Sequence, residues 1–366
     1  MVRKSPLFTA LAVSLLFAPS LFAQDAATPA SHLPPPANWT TTDVPVGQTV
    51  NPYVCGQNSK VYFRRIRRGD SVFKAPVIAL SLDGTSKTID LRSDIGLTGD
   101  VEIYAYNTDS SGAIYAIAKS TDHWQPHLVS YDEDGRYVSK VALQESFFAR
   151  FMLAINDNRF LAAGMKRPAT LTYGPDPKAS ITSLFDNQGK EVKALKLPED
   201  DATITMDLGI SSDDPIEFGT ARLGPDGRVF VFKASAQPRV QILDADGSTQ
   251  QVLTLTPPTK TSEPTDFFVV DHSRAVVVYA RHLPFPDDRT TMSQFITLYD
   301  TDTGEMLAND TYDVPGNIVC SEGNSLVFMT AAPDRRHYQL GRSTIPIDVI
   351  QIQRSAQTSA AQPASD

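Results

Sequence analysis

Six times along this chain a tight turn leads into a strongly apolar strand, and that repeat limits the possible folds more than any other feature. The copies read Asn58-Ser59-KVYF, Ser111-Gly112-AIYAIA, Asp157-Asn158-RFLAAG, Asp226-Gly227-RVFVF, His272-Ser273-RAVVVYA and Gly323-Asn324-SLVFMTA, about 45 to 70 residues apart. In most copies a second segment follows: VIALSLDG (77–84), HLVSYDEDG (127–135), ITSLFDNQG (181–189), VQILDADG (240–247) and FITLYDTDTG (295–304). Each ends in a turn where Gly supplies positive φ and Asp bonds the turn backbone. A further strand leaves each turn, as in TIDL, YVSKVAL, EVKALKL, QQVLTL and EMLAND. Another precedes the first set, as in EIYAYN (102–107), FMLAIN (151–156) and FFVVD (267–271). No helical period competes with this alternation between Asn51 and Arg354.

Two hairpins per repeat give four strands, so the sequence predicts an all-β, six-bladed β-propeller of four-stranded antiparallel blades. A β-sandwich or two barrels would also give short, evenly spaced strands; six matched copies with complementary ends favour the propeller. The sixth copy is incomplete. IPIDVIQIQ (345–353) takes the place of its third strand, and the missing outer strand is expected from the N-terminal segment, around Thr42 to Val50. Such a closure makes the last blade from both ends and covers an open sheet edge.

Gly224-Pro225-Asp226-Gly227-Arg228-Val229-Phe230-Val231-Phe232 resembles the hairpin of six-bladed propellers in the NHL, TolB-like and gluconolactonase-like groups. The resemblance covers most of the chain as a repeat pattern and implies fold rather than activity. The lactonase-like enzymes hold a divalent metal in the central channel with an Asp soon after this strand. Lys233-Ala234-Ser235 stands there instead, which argues against that chemistry.

The flanks point to export. Arg3 and Lys4 precede an apolar stretch, Leu7 to Phe17, and Ala23 is a small residue at the expected cleavage point, giving a signal over 1–23. The stretch is short for a membrane span, and the first cysteine is Cys55, so no lipid anchor is expected. Residues 24–41 read as a disordered Pro/Ala-rich spacer, 42–354 as the propeller and 355–366 as a disordered tail. Loss of Arg3 and Lys4 from the 33 Lys and Arg leaves 31 against 42 Asp and Glu, a charge near −11 that argues against nucleic-acid partners. A periplasmic or secreted monomer is expected.

Two cysteines in an exported chain permit a disulfide. Cys55 and Cys320 both fall on first strands, in the first and sixth copies, which become neighbours when the ring closes. A bridge between them would tie the closure; two buried thiols are the alternative.

In this topology the second strands all end on one face, and a cation stands near each end. The candidate ligand-binding set is Arg64, Arg67, Arg68, Lys119, His123, Trp124, Arg167, Tyr173, Lys233, Arg281, His282, Arg335, Arg336, His337 and Tyr338. Guanidinium groups beside aromatic planes suit carboxylates, phosphates and sugar acids. Strand ends entering water also carry charges for no functional reason. Asp207, Glu217, Asp266 and Asp271 could point at the channel. No HExxH spacing or G-x-S-x-G elbow occurs, and the Asp132–Gly135 and Asp244–Gly247 turns lack the remaining ligands of a calcium loop. The leading expectation is therefore a non-catalytic binding protein for a small anion, glycan or peptide. A metal-dependent hydrolase or lyase with its site in the channel, and a scaffold for another envelope protein, are the alternatives. No cofactor is expected, although the channel could take a divalent metal.

Overall fold

The computed structural model describes residues 36–56, 60–66, 69–122, 125–144, 147–156, 158–166, 180–196, 219–284, 290–310 and 315–345. It forms six four-stranded antiparallel sheets. The first strand in the chain, β1 (Trp39–Pro45), waits for the last sheet. Blade 1 is β2 (Gln48–Cys55), β3 (Val61–Ile66), β4 (Val77–Leu80) and β5 (Ser86–Ile89). Blade 2 is β6 (Val101–Thr108), β7 (Ile114–Ser120), β8 (His127–Tyr131) and β9 (Tyr137–Ala142). Blade 3 is β10 (Phe147–Asn156), β11 (Arg159–Lys166), β12 (Ser180–Asp186) and β13 (Glu191–Ala194). Blade 4 is β14 (Gly219–Leu223), β15 (Val229–Lys233), β16 (Arg239–Leu243) and β17 (Thr249–Thr254). Blade 5 is β18 (Glu263–Val269), β19 (Arg274–Pro284), β20 (Thr290–Asp300) and β21 (Met306–Asp310). Blade 6 joins β22 (Asn317–Glu322), β23 (Ser325–Ala331) and β24 (His337–Thr344) to β1. The first strands touch in ring order, β2 to β6, β10, β14, β18, β22 and back to β2.

The apolar pattern explains this arrangement. Second strands are covered on both faces, so they lose alternation: Val229 to Lys233 of β15 are all buried. Outer strands are covered little, and Tyr137 to Val138 of β9 stay exposed. The core is six separate clusters, each straddling one blade junction. Between blades 6 and 1, for example, Val319, Cys320, Val327, Met329, Tyr338 and Leu340 meet Val61, Phe63, Ile78 and Leu80. Each blade is thus stable only between two neighbours, which makes closure essential.

Closure follows the expected principle with its bounds shifted: β1 shares Thr42 to Pro45 with the expected stretch but begins at Trp39. The third strand of blade 6 is β24, not the segment from Ile345, and its outer partner is β1, pairing Trp39 with Gly341 and Thr41 with Gln339. Trp39 lies within the stretch read as spacer, whereas Gln48 to Val50 belong to the first strand of blade 1. HYQLGRST was passed over because its polar residues outnumber its apolar ones; Tyr338 and Leu340 nevertheless alternate into the core. The stretches read as signal and tail, and residues from 346 onward, lie outside the described residues. Among the described residues no helix is long and apolar enough to cross a membrane.

Cys55 and Cys320 are bonded, their Cα atoms 5.2 Å apart and their positions 265 residues apart in sequence. The bridge joins the innermost strands of blades 1 and 6.

The Asp/Gly turns behave as read. Asp132 Oδ1 accepts the amides of Asp134 and Arg136, and Asp186 Oδ1 accepts those of Gln188 and Lys190. Gly189, at φ 75°, lies so close to the outer strand of blade 2 that a Cβ would stand 2.4 Å from the Ala142 oxygen. Several turn carboxyls sit below the ordinary value. Thr85 hydrogen bonds lower Asp83, the Lys87 ammonium lowers Asp134, Ser248 lowers Asp246, and the Arg336 amide lowers Asp334.

Two predictions follow from the fold. Reduction, or Cys55→Ser with Cys320→Ser, should cost up to about 5–6 kcal/mol by loop entropy for a loop of this length. Urea unfolding with and without reductant measures this, and equal midpoints would mean the bridge does not constrain the chain. The depressed turn carboxyls contribute stability that is complete above the unfolded carboxyl value of 3.8 and lost as the pH falls through their lower folded values. Urea midpoints should therefore hold from pH 7 down to about 5 and fall below 4, with Asp83→Asn and Asp134→Asn each reducing the fall.

Candidate functional site

Antiparallel pairing places the starts of the first strands and the ends of the second strands on one face. Among the described residues, two cavities lie along the first strands, one toward each face. The cavity at the second-strand-end face, about 300 Å³, is bounded by Thr49, Tyr53, Thr265, Asp266, Phe268, Val278, Gln294, Asn317 and Ile318. The cavity at the opposite face, about 390 Å³, takes its wall from the ends of β2, β6, β14 and β22, including Cys55, Asp109, Arg222 and Glu322, and from Leu153 and Ala154 of β10. Tyr53 borders both.

An ion pair sits between the two cavities. Arg222 Nη2 of blade 4 donates to Asp266 Oδ1 of blade 5 at 3.0 Å, and Nη1 donates to Thr220 Oγ1 at 2.8 Å. The guanidinium carbon lies 5.0 Å from the centre of the Phe268 ring. Asp266 Oδ1 also accepts its neighbour's amide, Phe267 N, at 2.8 Å. Burial pushes the Asp266 carboxyl above the ordinary range, with Arg222 working against the rise. Its side chain is nonetheless 30 % open, because the surrounding protein leaves the cavity on one side. Asp266 was read as a residue able to point at the channel; it lines the cavity shared by blades 5, 6 and 1. Arg222 was missed; a cation inside an inner strand was the available signal. Asp271 instead pairs with Arg274 within its own hairpin, and Asp207 and Glu217 lie outside the described residues.

The cations at the second-strand ends were expected as an open ring. Arg64, Lys119 and Lys233 do occupy equivalent ends, but they are buried, at 4 %, 7 % and 6 % exposure. Neighbouring blades explain this for the first two. Arg64 lies over Tyr106 of blade 2, its Cζ 5.1 Å from the ring centre. Lys119 Nζ lies 4.6 Å from the centre of Phe148 of blade 3 and 5.8 Å from that of Tyr104. These cations gain from the ring quadrupole what they lose in hydration. Lys233 closes β15, opposite Gly219 and Arg239.

Arg64 differs in one respect. Nη1 donates to the Val72 carbonyl at 3.1 Å, whereas Nε and Nη2 are buried with no acceptor among the described residues. Burial holds this guanidinium below its ordinary value. The Val72 carbonyl belongs to a single 3-10 turn, Val72–Lys74, which packs against β6 and is tied by Lys74 to Asp100.

The remaining candidates separate. Arg335 and Arg336 are exposed on the hairpin between β23 and β24, where Asp334 accepts the Arg336 amide at 2.8 Å and faces His337 Nδ1 at 3.4 Å. Tyr338 corrects the reading: it is a core residue between blades 6 and 1, and its hydroxyl donates to the Gly47 carbonyl and accepts the Gly47 amide. Arg281 and His282 lie within β19, opposite Ser293 and Met292, because that strand runs on to Pro284. Arg67, Arg68, His123, Trp124, Arg167 and Tyr173 lie outside the described residues. Among the described residues no three His, Cys, Asp or Glu side chains converge as a metal would need.

No family model matches the chain, and no curated protein does. Similar solved structures exist. A protein of unknown function from Dyadobacter fermentans is 10 % identical with a TM-score of 0.50, over 85 % of this chain and 99 % of that one. The Pan2 WD40 domain of Neurospora crassa is 10 % identical with a TM-score of 0.47, over 85 % and 97 %. An α-L-arabinanase of Penicillium chrysogenum is 13 % identical with a TM-score of 0.41, over 85 % and 99 %. At these identities the likeness is one of fold alone; the six four-stranded sheets, whose first strands touch in ring order, make the chain a six-bladed β-propeller.

Proposed function

We propose that this chain is an exported, non-catalytic binding protein that holds a small anion, free or as the acidic group of a glycan or peptide. The site is the face where the second strands end. The observation that carries the reading is the unsatisfied edge of Arg64. Nε and Nη2 form the side-on edge of a guanidinium, the edge that receives a carboxylate or phosphate through two parallel bonds. A buried N–H without an acceptor costs about 1–3 kcal/mol, more when charged, and an arriving anion would recover it. Tyr106 and the Val72 carbonyl fix the plane of the group, so little side-chain freedom remains to be lost on binding. The ligand would reach Arg64 past the Val72–Lys74 turn, with Arg335 and Arg336 adding an exposed positive field on the same face. Export is supported by the bridge between Cys55 and Cys320, since disulfides persist in oxidising compartments.

Calorimetric titration with glucuronate, galacturonate, phosphate, citrate and an acidic peptide tests the reading. At least one should bind, and Arg64→Met should weaken it by about 30-fold or more. The same variant should be as stable as the parent without ligand, or more so, because an apolar chain replaces a buried, partly unpaired charge. Arg64→Lys should not restore binding, because an ammonium lacks the two-pronged edge. No binding by any of these anions, or binding indifferent to Arg64→Met, would contradict the proposal.

A further inference from the structure

The cavity between blades 5 and 6 is a different kind of place from the surroundings of Arg64, which lines neither cavity described above. Asp266, the one carboxylate among the described lining residues, is fixed from one side only: Arg222 and the Phe267 amide both bond Oδ1, leaving Oδ2 as the acceptor for anything in the cavity. Gln294 stands on the same wall, and its amide makes no hydrogen bond among the described residues. Thr49 Oγ1 and the Tyr53 hydroxyl, 2.6 Å apart, form a further polar edge contributed by blade 1. Phe268, Val278 and Ile318 supply apolar wall. From these we infer that the cavity is a second binding site, built for a neutral polyhydroxylated ligand, a single sugar ring.

Charge decides between ligand classes. Arg222 at 3.0 Å already compensates Asp266, so an ammonium ligand would meet a neutral pair and a nearby guanidinium. An anion would meet Oδ2 head-on. A neutral ligand avoids both penalties and can use every group present. Carboxylate Oδ2 accepts one hydroxyl proton, the Gln294 amide both accepts and donates, and the hydroxyls of Thr49 and Tyr53 can do either. The apolar wall suits the C–H face of a ring. The volume, about 300 Å³, is at the small end for ligand pockets and fits one ring rather than a chain. The arrangement is also rigid, because Arg222 is itself held by Thr220 and by Phe268. This site does not depend on Arg64, and the two readings can fail separately.

The test is calorimetric titration of the full chain with neutral methyl hexosides and pentosides, beside glucuronate as the acid and putrescine as the amine. At least one neutral sugar should bind saturably. Gln294→Leu, at a partly exposed position, should weaken it by about tenfold, as should Asp266→Asn. Arg64→Met should leave it unchanged. If Asp266→Asn unfolds the protein by stranding Arg222, the Gln294→Leu result stands alone and suffices. Four results would overturn the inference. They are no neutral sugar binding, sugar binding indifferent to Gln294→Leu, loss of sugar binding in Arg64→Met, and putrescine binding that depends on Asp266.

Discussion

The junction between blades 6 and 1 is the contact on which the rest of this ring depends. Each cluster of core residues lies between two blades, so an open ring would expose two faces at once. The chain secures the junction at both radial ends. At the inner rim the Cys55–Cys320 bridge joins β2 to β22. At the outer rim β1 pairs with β24, and Thr42 Oγ1 donates to the Tyr338 carbonyl at 2.9 Å. The same strand reaches across to blade 1, where the Asp43 amide donates to the Gly84 oxygen at 3.1 Å. Gly84, at φ 89°, allows that approach; a Cβ there would stand 2.6 Å from the Thr41 oxygen.

Cation contacts repeat the same theme at other junctions. Arg64 lies on Tyr106, Lys119 on Phe148, and Arg222 on Phe268, each reaching from one blade to the next. A charge so placed stiffens the junction, and whether it can also bind depends on its remaining donors. Arg222 uses both terminal nitrogens on Asp266 and Thr220. Arg64 keeps its side-on edge unpaired, and that difference separates a brace from a receptor. The cavity beside Asp266 depends on closure as well, because its walls come from blades 5, 6 and 1.

The fold was legible because turns and apolar runs repeat at each blade, and the two cysteines fall at matching strand positions. The closing strands were legible only in principle. HYQLGRST carries too few apolar residues to stand out, while the more apolar IPIDVIQIQ drew the assignment away from it. The site was harder to read, for a physical reason. Sequence places a cation at a strand end, but burial is set by the next blade, some 30 to 40 residues on, as Phe148 is from Lys119 and Tyr106 from Arg64. Tyr338, one of the candidate ligand-binding residues, is core; Arg222, absent from that set, bonds Asp266. Neither difference could be seen without knowing which blades touch.

Hydrogen exchange at β1 tests the closure most directly. If the N-terminal strand completes blade 6, the amides of Thr40 and Thr42 should exchange slowly, with protection approaching that of β23, and should lose it together with blade 6 as denaturant is added. Exchange at the rate of a free peptide, while β22 to β24 remain protected, would mean that the ring is not closed by its N-terminal segment.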